Sequence, residues 1–517
     1  MIGRIVLSTV LVFSFIYLGY NLMNEQNVFL ADSGVYASVA RGIIKFGVPT
    51  DIYLPNNPPH IFYPPFFSYL WAIVLLIVPE FEHIAIRLLV LFFGSLTLLV
   101  TWFFLKDWNV YIRTLTVINI ALNYYFLSLS TSPLSDIPYM FFSILFIALI
   151  KYAKTNRNVS IVSGVILSFA TLTRSIGITL LAELFLLFLI CYAREKKKFI
   201  KSNLNLIIIM VIFLSINIIP TIYTQTNVTK NQFPNHMGLI HTYKEYFIYG
   251  ETLNIDNSIS LNKLIQRYKV NTFRLMSTVP TLFFYQYHEV LNNVFNFIGL
   301  SFLKKIISLL IFLLVLIGII QSLKEKVFNG AAYCLAYIFM LMNFEVADRY
   351  MIVLLPLLYN FIFIGLSASF GKRIGKIMII SMLCIGLISS SFGVIEFVKM
   401  QNNSNNNNTK SYLDVVLWLK NNAQKNEIVM TVYPEGNYLY SNLKSIGVPL
   451  TYNTTEFHKA IINYNVTWII EDSVNSFSEL FLTPALKEKR ELITQVYKKD
   501  NTTIYRVNNS FKNHAHP

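Results

Sequence analysis

Apolar residues fall in long unbroken runs along this chain, too long for strands and too evenly apolar for the one-sided helices of a soluble domain. The runs cover roughly 5–22, 87–105, 110–129, 137–151, 159–173, 176–193, 203–223, 303–322, 328–344, 350–369 and 377–397. Each reaches or approaches the roughly 17–25 residues that a helix needs to span a bilayer. The expected fold is therefore a multi-pass α-helical membrane protein with about eleven transmembrane helices. No small-residue cleavage site follows the first run, which reads as a span and not as a cleaved signal. A further apolar stretch, Phe66–Pro79, opens after Pro64-Pro65 and is short, so a re-entrant or surface helix is expected there.

The pattern changes beyond residue 397. An Asn-rich linker, 398–410, leads into 411–517, where short alternating segments replace the apolar runs. Tyr412–Asn421 reads as an amphipathic helix, Ile428–Val432 and Thr467–Ile470 as strands, and Glu456–Asn463 and Ser476–Lys489 as helical. Leu492–Tyr497 and Thr502–Val507 read as a closing strand pair. Alternation of this kind predicts a small soluble α/β domain after a membrane module spanning 1–397.

Charge supplies the orientation. Arg4, then Lys106 and Arg113, then Lys151, Lys154 and Arg157 lie between alternate pairs of spans. Arg194 with Lys196, Lys197, Lys198 and Lys201, then Lys324 and Lys326, then Lys372, Arg373 and Lys376 continue the alternation. All fall on one side if Phe66–Pro79 does not cross, which puts the N-terminus in the cytoplasm and the C-terminal domain outside. The outer segments are then 23–86, Ser128–Asp136, 225–300 and the tail. The sequons at Asn227, Asn402, Asn407, Asn453, Asn465, Asn501 and Asn508 all lie outside, and Asn158 alone would lie inside.

Composition agrees. Of 517 residues, 55% are hydrophobic and 13% charged, about half the charge of a soluble domain. The net charge of +15 sits in short clusters and not in a continuous stripe, which excludes nucleic acid as a partner. Cys191, Cys334 and Cys384 fall inside apolar runs and read as small core residues.

Four ionisable residues reach the outer side in this topology: Asp32, Asp136, Arg174 and Arg349. Each also has an ordinary structural explanation. Asp32 begins a stretch in which Val35, Val39 and Ile43 repeat at helical spacing, so an amphipathic helix on the membrane surface is expected, with Asp32 as its N-cap. Asp136 sits in the turn-like Ser132-Pro-Leu-Ser-Asp-Ile-Pro138. Arg174 and Arg349 could equally be interfacial anchors. Two acids and two arginines from distant parts of the chain on one membrane face favour function.

Taken in order, these residues resemble the GT-C fold membrane glycosyltransferases, specifically protein O-mannosyltransferases and lipid A aminoarabinose transferases. The resemblance rests on Asp32 with Tyr36 and Ala40, Tyr63-Pro-Pro65, Arg87-Leu-Leu with Gly94-Ser-Leu, and Asp136-Ile-Pro138. It continues with Gly164, Leu172-Thr-Arg174, and Arg349-Tyr350 with Pro356. Relatives often carry Asp-Glu in the first outer loop, where this chain has Ser33 after Asp32.

The resemblance implies a polyprenyl-phosphate sugar as donor and a hydroxyl on a glycan, lipid or protein as acceptor. It places Asp32 and Asp136 as catalytic and Arg174 and Arg349 on the donor phosphate. Tyr36, Tyr63, His60 and Tyr350 stand as candidate substrate contacts. Elementary chemistry is compatible with that set. A phosphate leaving group departs without a proton, so one carboxylate base suffices, and arginine suits the phosphate. No cofactor is required; a divalent metal is possible but not indicated, since His60, His83, His236 and His241 lack ligand spacing. A secondary transporter is the alternative, but its inverted repeats and mid-bilayer ionisable residues are missing from the sequence. An oligosaccharyltransferase would show Trp-Trp-Asp-Tyr-Gly and an outer Asp-x-Asp, and neither occurs.

Overall fold

The computed structural model describes residues 15–16, 19–20, 29–194, 203–227, 233–235, 237–238, 240, 242–249, 261–284, 302–325, 329–403, 407–474, 476–488 and 490–508. Most of the first apolar run lies outside the described residues. So do Arg4, Lys196, Lys197, Lys198, Lys201, Lys326, His236, His241 and much of 225–300. The chain forms two compact units, drawn from Met1–Met23, His83–Ile219 and Ile265–Gln401, and from Asn24–Glu82, Pro220–Leu264 and Asn402–Pro517. The first is helical, and the second contains the sheet.

In the helical unit the described residues of the later apolar runs are mostly helical. The stretches Pro79–Phe104, Asp136–Ala153, Ser175–Ala193, Leu204–Asn227, Lys305–Lys324 and Asp348–Lys399 are long and apolar enough to cross a membrane. The last, at 52 residues, is about twice the length a single crossing needs. It is broken at Gly371, whose φ of 74° and ψ of 164° are not helical. Val110–Ala121, Arg157–Thr173 and Ala331–Asn343 are shorter apolar helices. The run expected at 110–129 is interrupted: one helix ends at Ala121, and Asn123 caps a second, Tyr124–Ser130, by accepting from the amides of Tyr125 and Phe126. Helix Leu261–Phe283 lies inside the outer segment 225–300, where the sequence suggested no element.

Two glycines set a close helix crossing. A Cβ on Gly318 would collide with the Phe361 carbonyl oxygen, and one on Gly365 with that of Leu314. Backbones approach this closely in lipid because small residues let dispersion contacts do the work of the hydrophobic effect. Glu183 fixes another junction. Its carboxylate accepts from the amides of Gly330, Ala332 and Tyr333, satisfying the orphan donors at the start of helix Ala331–Asn343.

Among the described residues the sheet unit has five strands, in the spatial order Ser445–Gly447, Ile428–Thr431, Val466–Glu471, Thr502–Val507 and Ile493–Lys499. Strands β1 (Ile428–Thr431), β2 (Ser445–Gly447) and β3 (Val466–Glu471) are parallel, and β5 (Thr502–Val507) runs antiparallel to β3 and to β4 (Ile493–Lys499). The parallel strands are short apolar runs buried almost throughout, as strands covered on both faces must be. The edge strand β4 is largely exposed and ends in Lys498 and Lys499, charges that discourage further pairing.

Helices Asn407–Asn422, Pro434–Ser441 and Thr454–Asn463 accompany the sheet. The Asn-rich segment is helical up to Asn403 and again from Asn407, where a linker was expected.

The first outer loop folds with this sheet. Tyr53 and Leu54 are buried in one core with Tyr412, Val416, Val429, Met430, Ile446 and Ile469. Ser445 of β2 donates its amide to Tyr53 O at 2.9 Å, and Lys444 Nζ reaches Ile52 O and Asn57 Oδ1.

Candidate functional site

The Asp32 helix, Ala31–Phe46, differs from the surface helix expected of it. Ser33 to Ala40 are all buried, and the N-cap position is Leu30, with no side-chain cap. Asp32 therefore does not cap this helix. Its Oδ1 accepts a 2.7 Å hydrogen bond from Tyr63 Oη. Tyr36, one turn on from Asp32, is buried between Tyr63 (ring centroids 5.3 Å apart) and Phe67 (5.0 Å, edge to face).

His60 holds Tyr63 from behind. Tyr63 donates its backbone amide to His60 Nε2 at 3.0 Å, so that nitrogen carries the lone pair. The proton is then on Nδ1, which donates to Asp51 Oδ1 at 2.7 Å. Both partners of this pair are buried. A polar chain thus runs from Asp51 through His60 and Tyr63 to Asp32. The helix is further tied by Arg41, which bonds Glu82 bidentately at 3.0 and 2.7 Å, while Trp71 Nε1 donates to the same carboxylate at 2.8 Å.

The helical unit brings Asp136, Arg174, Arg349 and Tyr350 together. Asp136 is the first residue of helix Asp136–Ala153 and is fully buried. Arg174 stands where helix Arg157–Thr173 breaks into extended backbone (φ −145°, ψ 131°), which turns its side chain out of the helix. Its Nη1 donates to Asp136 Oδ1 at 2.7 Å. Arg349, on the single turn Asp348–Met351, donates to Oδ2 from Nε at 3.3 Å and from Nη2 at 3.0 Å.

The Tyr350 ring lies 5.5 Å from the Arg174 guanidinium carbon and 5.9 Å from that of Arg349. That turn is braced from behind, since Tyr337 Oη donates to Tyr350 O at 2.9 Å and Tyr125 Oη to Asp348 Oδ2 at 2.9 Å.

Two guanidiniums from separate segments thus meet on one carboxylate. Asp136 also holds both in fixed orientation, which suits an oxyanion better than two mobile lysines would. Among the described residues no group of three or more His, Cys, Asp or Glu side chains could hold a metal ion.

The sequence named the members of both sets but not their partners. Asp51 is nine residues from His60, a spacing with no motif, and Glu82 carries no local signal at all. Asp136 read as a turn residue because its arginines lie far away in sequence.

No protein-family model matches the chain, and no curated protein matches it by sequence. Solved structures do. ArnT from Cupriavidus metallidurans in the apo state superposes with a TM-score of 0.55 at 10% identity, covering 98% of each chain. The archaeal oligosaccharyltransferase AglB from Archaeoglobus fulgidus, in complex with an inhibitory peptide and a dolichol-phosphate, gives 0.55 at 12% identity over 99% of this chain and 75% of that one. ArnT bound to undecaprenyl phosphate gives 0.53 at 10% identity over 98% and 99%. This chain has the GT-C fold. With that fold and its long apolar helices it is a multi-pass membrane protein.

Proposed function

We propose that this chain moves a sugar from a polyprenyl-phosphate donor to a hydroxyl of a protein, lipid or glycan acceptor at the outer face of the membrane. The acceptor oxygen attacks the anomeric carbon and gives its proton to Asp32. The bond from that carbon to the phosphate oxygen breaks, and polyprenyl phosphate leaves as the anion. Arg174 and Arg349 hold that phosphate, aligned by Asp136, and stabilise the charge that grows on it. Tyr63 orients Asp32, His60 and Asp51 orient Tyr63, and Tyr36 and Tyr350 contribute aromatic surface to the substrates. No cofactor is required in this scheme, and a divalent cation is compatible with it.

The observation that carries the reading is the pairing of one buried carboxylate with two arginines on separate segments, Arg174 and Arg349. Polyprenyl phosphates bound to two proteins of this fold, ArnT and AglB, support the choice of donor. The topology proposed has about eleven spans, a cytoplasmic N-terminus and an outer C-terminal domain, as the positive-inside rule requires. Purified protein, incubated with a panel of polyprenyl-phosphate sugars and simple hydroxyl acceptors, is expected to release polyprenyl phosphate from at least one donor. Arg349→Ala is expected to lower that release at least about 100-fold. Release unaffected by loss of either arginine would overturn the assignment of the phosphate site.

A further inference from the structure

In the sheet unit the crossover from β1 to β2 goes to one side of β1, and the return from β2 to β3 goes to the other. Open α/β sheets take their ligands outside the carboxyl ends of the strands, at such a reversal. Here that place lies where β1 runs into helix Pro434–Ser441, whose second residue is Glu435. It is filled by the protein's own first outer loop, and two glycines make the fit. A Cβ on Gly34 would stand 2.5 Å from Glu435 Cγ, and one on Gly436 would collide with Leu30 Cδ2. The Phe29 amide donates to Tyr440 Oη at 3.0 Å, tying the chain just before Asp32 to the same helix.

Glu435 is fully buried, and neither carboxyl oxygen makes a hydrogen bond of proper geometry. The titratable groups that face it are Asp32 on the adjoining helix, Asp51 and Tyr53 on the loop that follows, and Tyr412 on helix Asn407–Asn422. None of the four is basic. A sheet domain that only needed to pack would place an apolar side chain here, because burying a polar group without a partner is costly.

We propose that Glu435 is a positioning residue for Asp32, pinning the first turn of its helix to the carboxyl edge of the sheet and setting the charge that Asp32 experiences. This rests on the reading of Asp32 as the base. Burial, with Asp32 and Asp51 beside it, holds the Glu435 carboxyl well above the usual range, against weak compensation from the amides of Ala31 and Glu435 itself. As an uncharged acid, Glu435 adds no negative charge beside Asp32. When it ionises, a negative charge appears beside the Asp32 side chain and loosens the packing of that turn. The raised value means that the folded protein keeps this proton more tightly than the unfolded chain does. The arrangement is therefore complete at low pH and is lost as pH rises through the raised value.

The test uses the full-length protein and follows polyprenyl-phosphate release against pH. Wild type is expected to show an alkaline fall in kcat that Glu435→Gln abolishes, since the amide cannot ionise. Glu435→Ala is expected to lower kcat at least about 10-fold at neutral pH with KM within about 3-fold, and Glu435→Gln to restore kcat. An unchanged alkaline limb in Glu435→Gln, or a Glu435→Ala enzyme with wild-type kcat, would overturn the inference. Should wild type release nothing from any donor, the proposed function fails first. Hydrogen exchange at the amides of residues 31–36 then decides this inference separately. It should quicken at least about 10-fold in Glu435→Ala and not in Glu435→Gln, and equal exchange in both would sink it.

Discussion

Asp32 shows why a residue's surroundings decide between an ordinary and a chemical role. From the sequence alone an N-cap was a sufficient account, and the structure removes it, because Leu30 holds that position and no side chain caps the helix. What remains is a half-exposed carboxylate accepting from Tyr63, which is itself held by His60 and Asp51. Asp32→Asn keeps the shape and can still accept the Tyr63 proton, so expression and donor binding should persist while turnover falls at least about 100-fold. Near-normal turnover would take Asp32 out of the mechanism.

Asp472 illustrates the opposite case, an acid with no evident chemistry. It follows β3, is 2% exposed and leaves Oδ2 without a partner, and burial pushes its carboxyl up to about 7. Its ionisation works against the fold, so the stability it contributes is complete below the unfolded value near 4 and drains away as pH rises through about 7. Asp472→Asn should flatten this part of the pH dependence of thermal unfolding by on the order of 2–4 kcal/mol and leave turnover near normal. An unaltered slope would contradict the raised value.

At the scale of elements, what the sequence revealed depended on how local the cause was. Apolar runs near spanning length need only their own composition, so Asp136–Ala153 and Leu204–Asn227 fall within a few residues of expectation. Helix Leu261–Phe283 escaped notice because Lys263, Arg267, Lys269 and Arg274 interrupt its apolar positions. Part of what holds it is distant: Asn271 Nδ2 bonds Met342 O and Phe344 O, and Arg267 bonds Asn343 O. The Asp32 helix was correctly expected but wrongly placed on a surface, since the neighbours that bury it come from Phe66–Ile77 and Pro434–Ser441.

The crossing of helices at Gly318 and Gly365 was equally invisible, because a glycine inside an apolar run carries no mark of what faces it. Since added Cβ atoms there would meet backbone carbonyls, which cannot rotate away, the helices must separate. Gly318→Ala and Gly365→Ala should each lower the melting temperature in detergent clearly, by about 2 kcal/mol in stability or more. Gly371→Ala, where nothing lies within 4 Å, should lose stability through its positive φ alone. Unchanged melting temperatures for Gly318→Ala and Gly365→Ala would argue against a tight crossing.

For the molecule as a whole, the decisive question is whether Phe66–Ile77 crosses the membrane, because its parity sets the side of everything after it. The helix has 12 residues, about 18 Å of rise, against a hydrocarbon core of about 30 Å. Its Phe67 and Trp71 are buried among Phe29, Tyr36 and each other, and Trp71 is bonded to Glu82. Its other face exposes Ile73, Leu76 and Ile77, with Phe81 just beyond, as a helix dipping into the membrane from one side would. It also belongs to the compact unit that holds the sheet, so a crossing would have to pull it away from its own core. If it does not cross, the basic clusters at Lys106 and Arg113, at Lys151 and Arg157, and at Lys372 to Lys376 share one side. A reporter fused after Phe397 should then be found outside, and one inserted within residues 194–201 inside. Both on the same side would break the span count between them. Both reversed would point to Phe66–Ile77 as a true span and would count against the packing of Gly34 on Glu435, which keeps Asp32 and the sheet on one side.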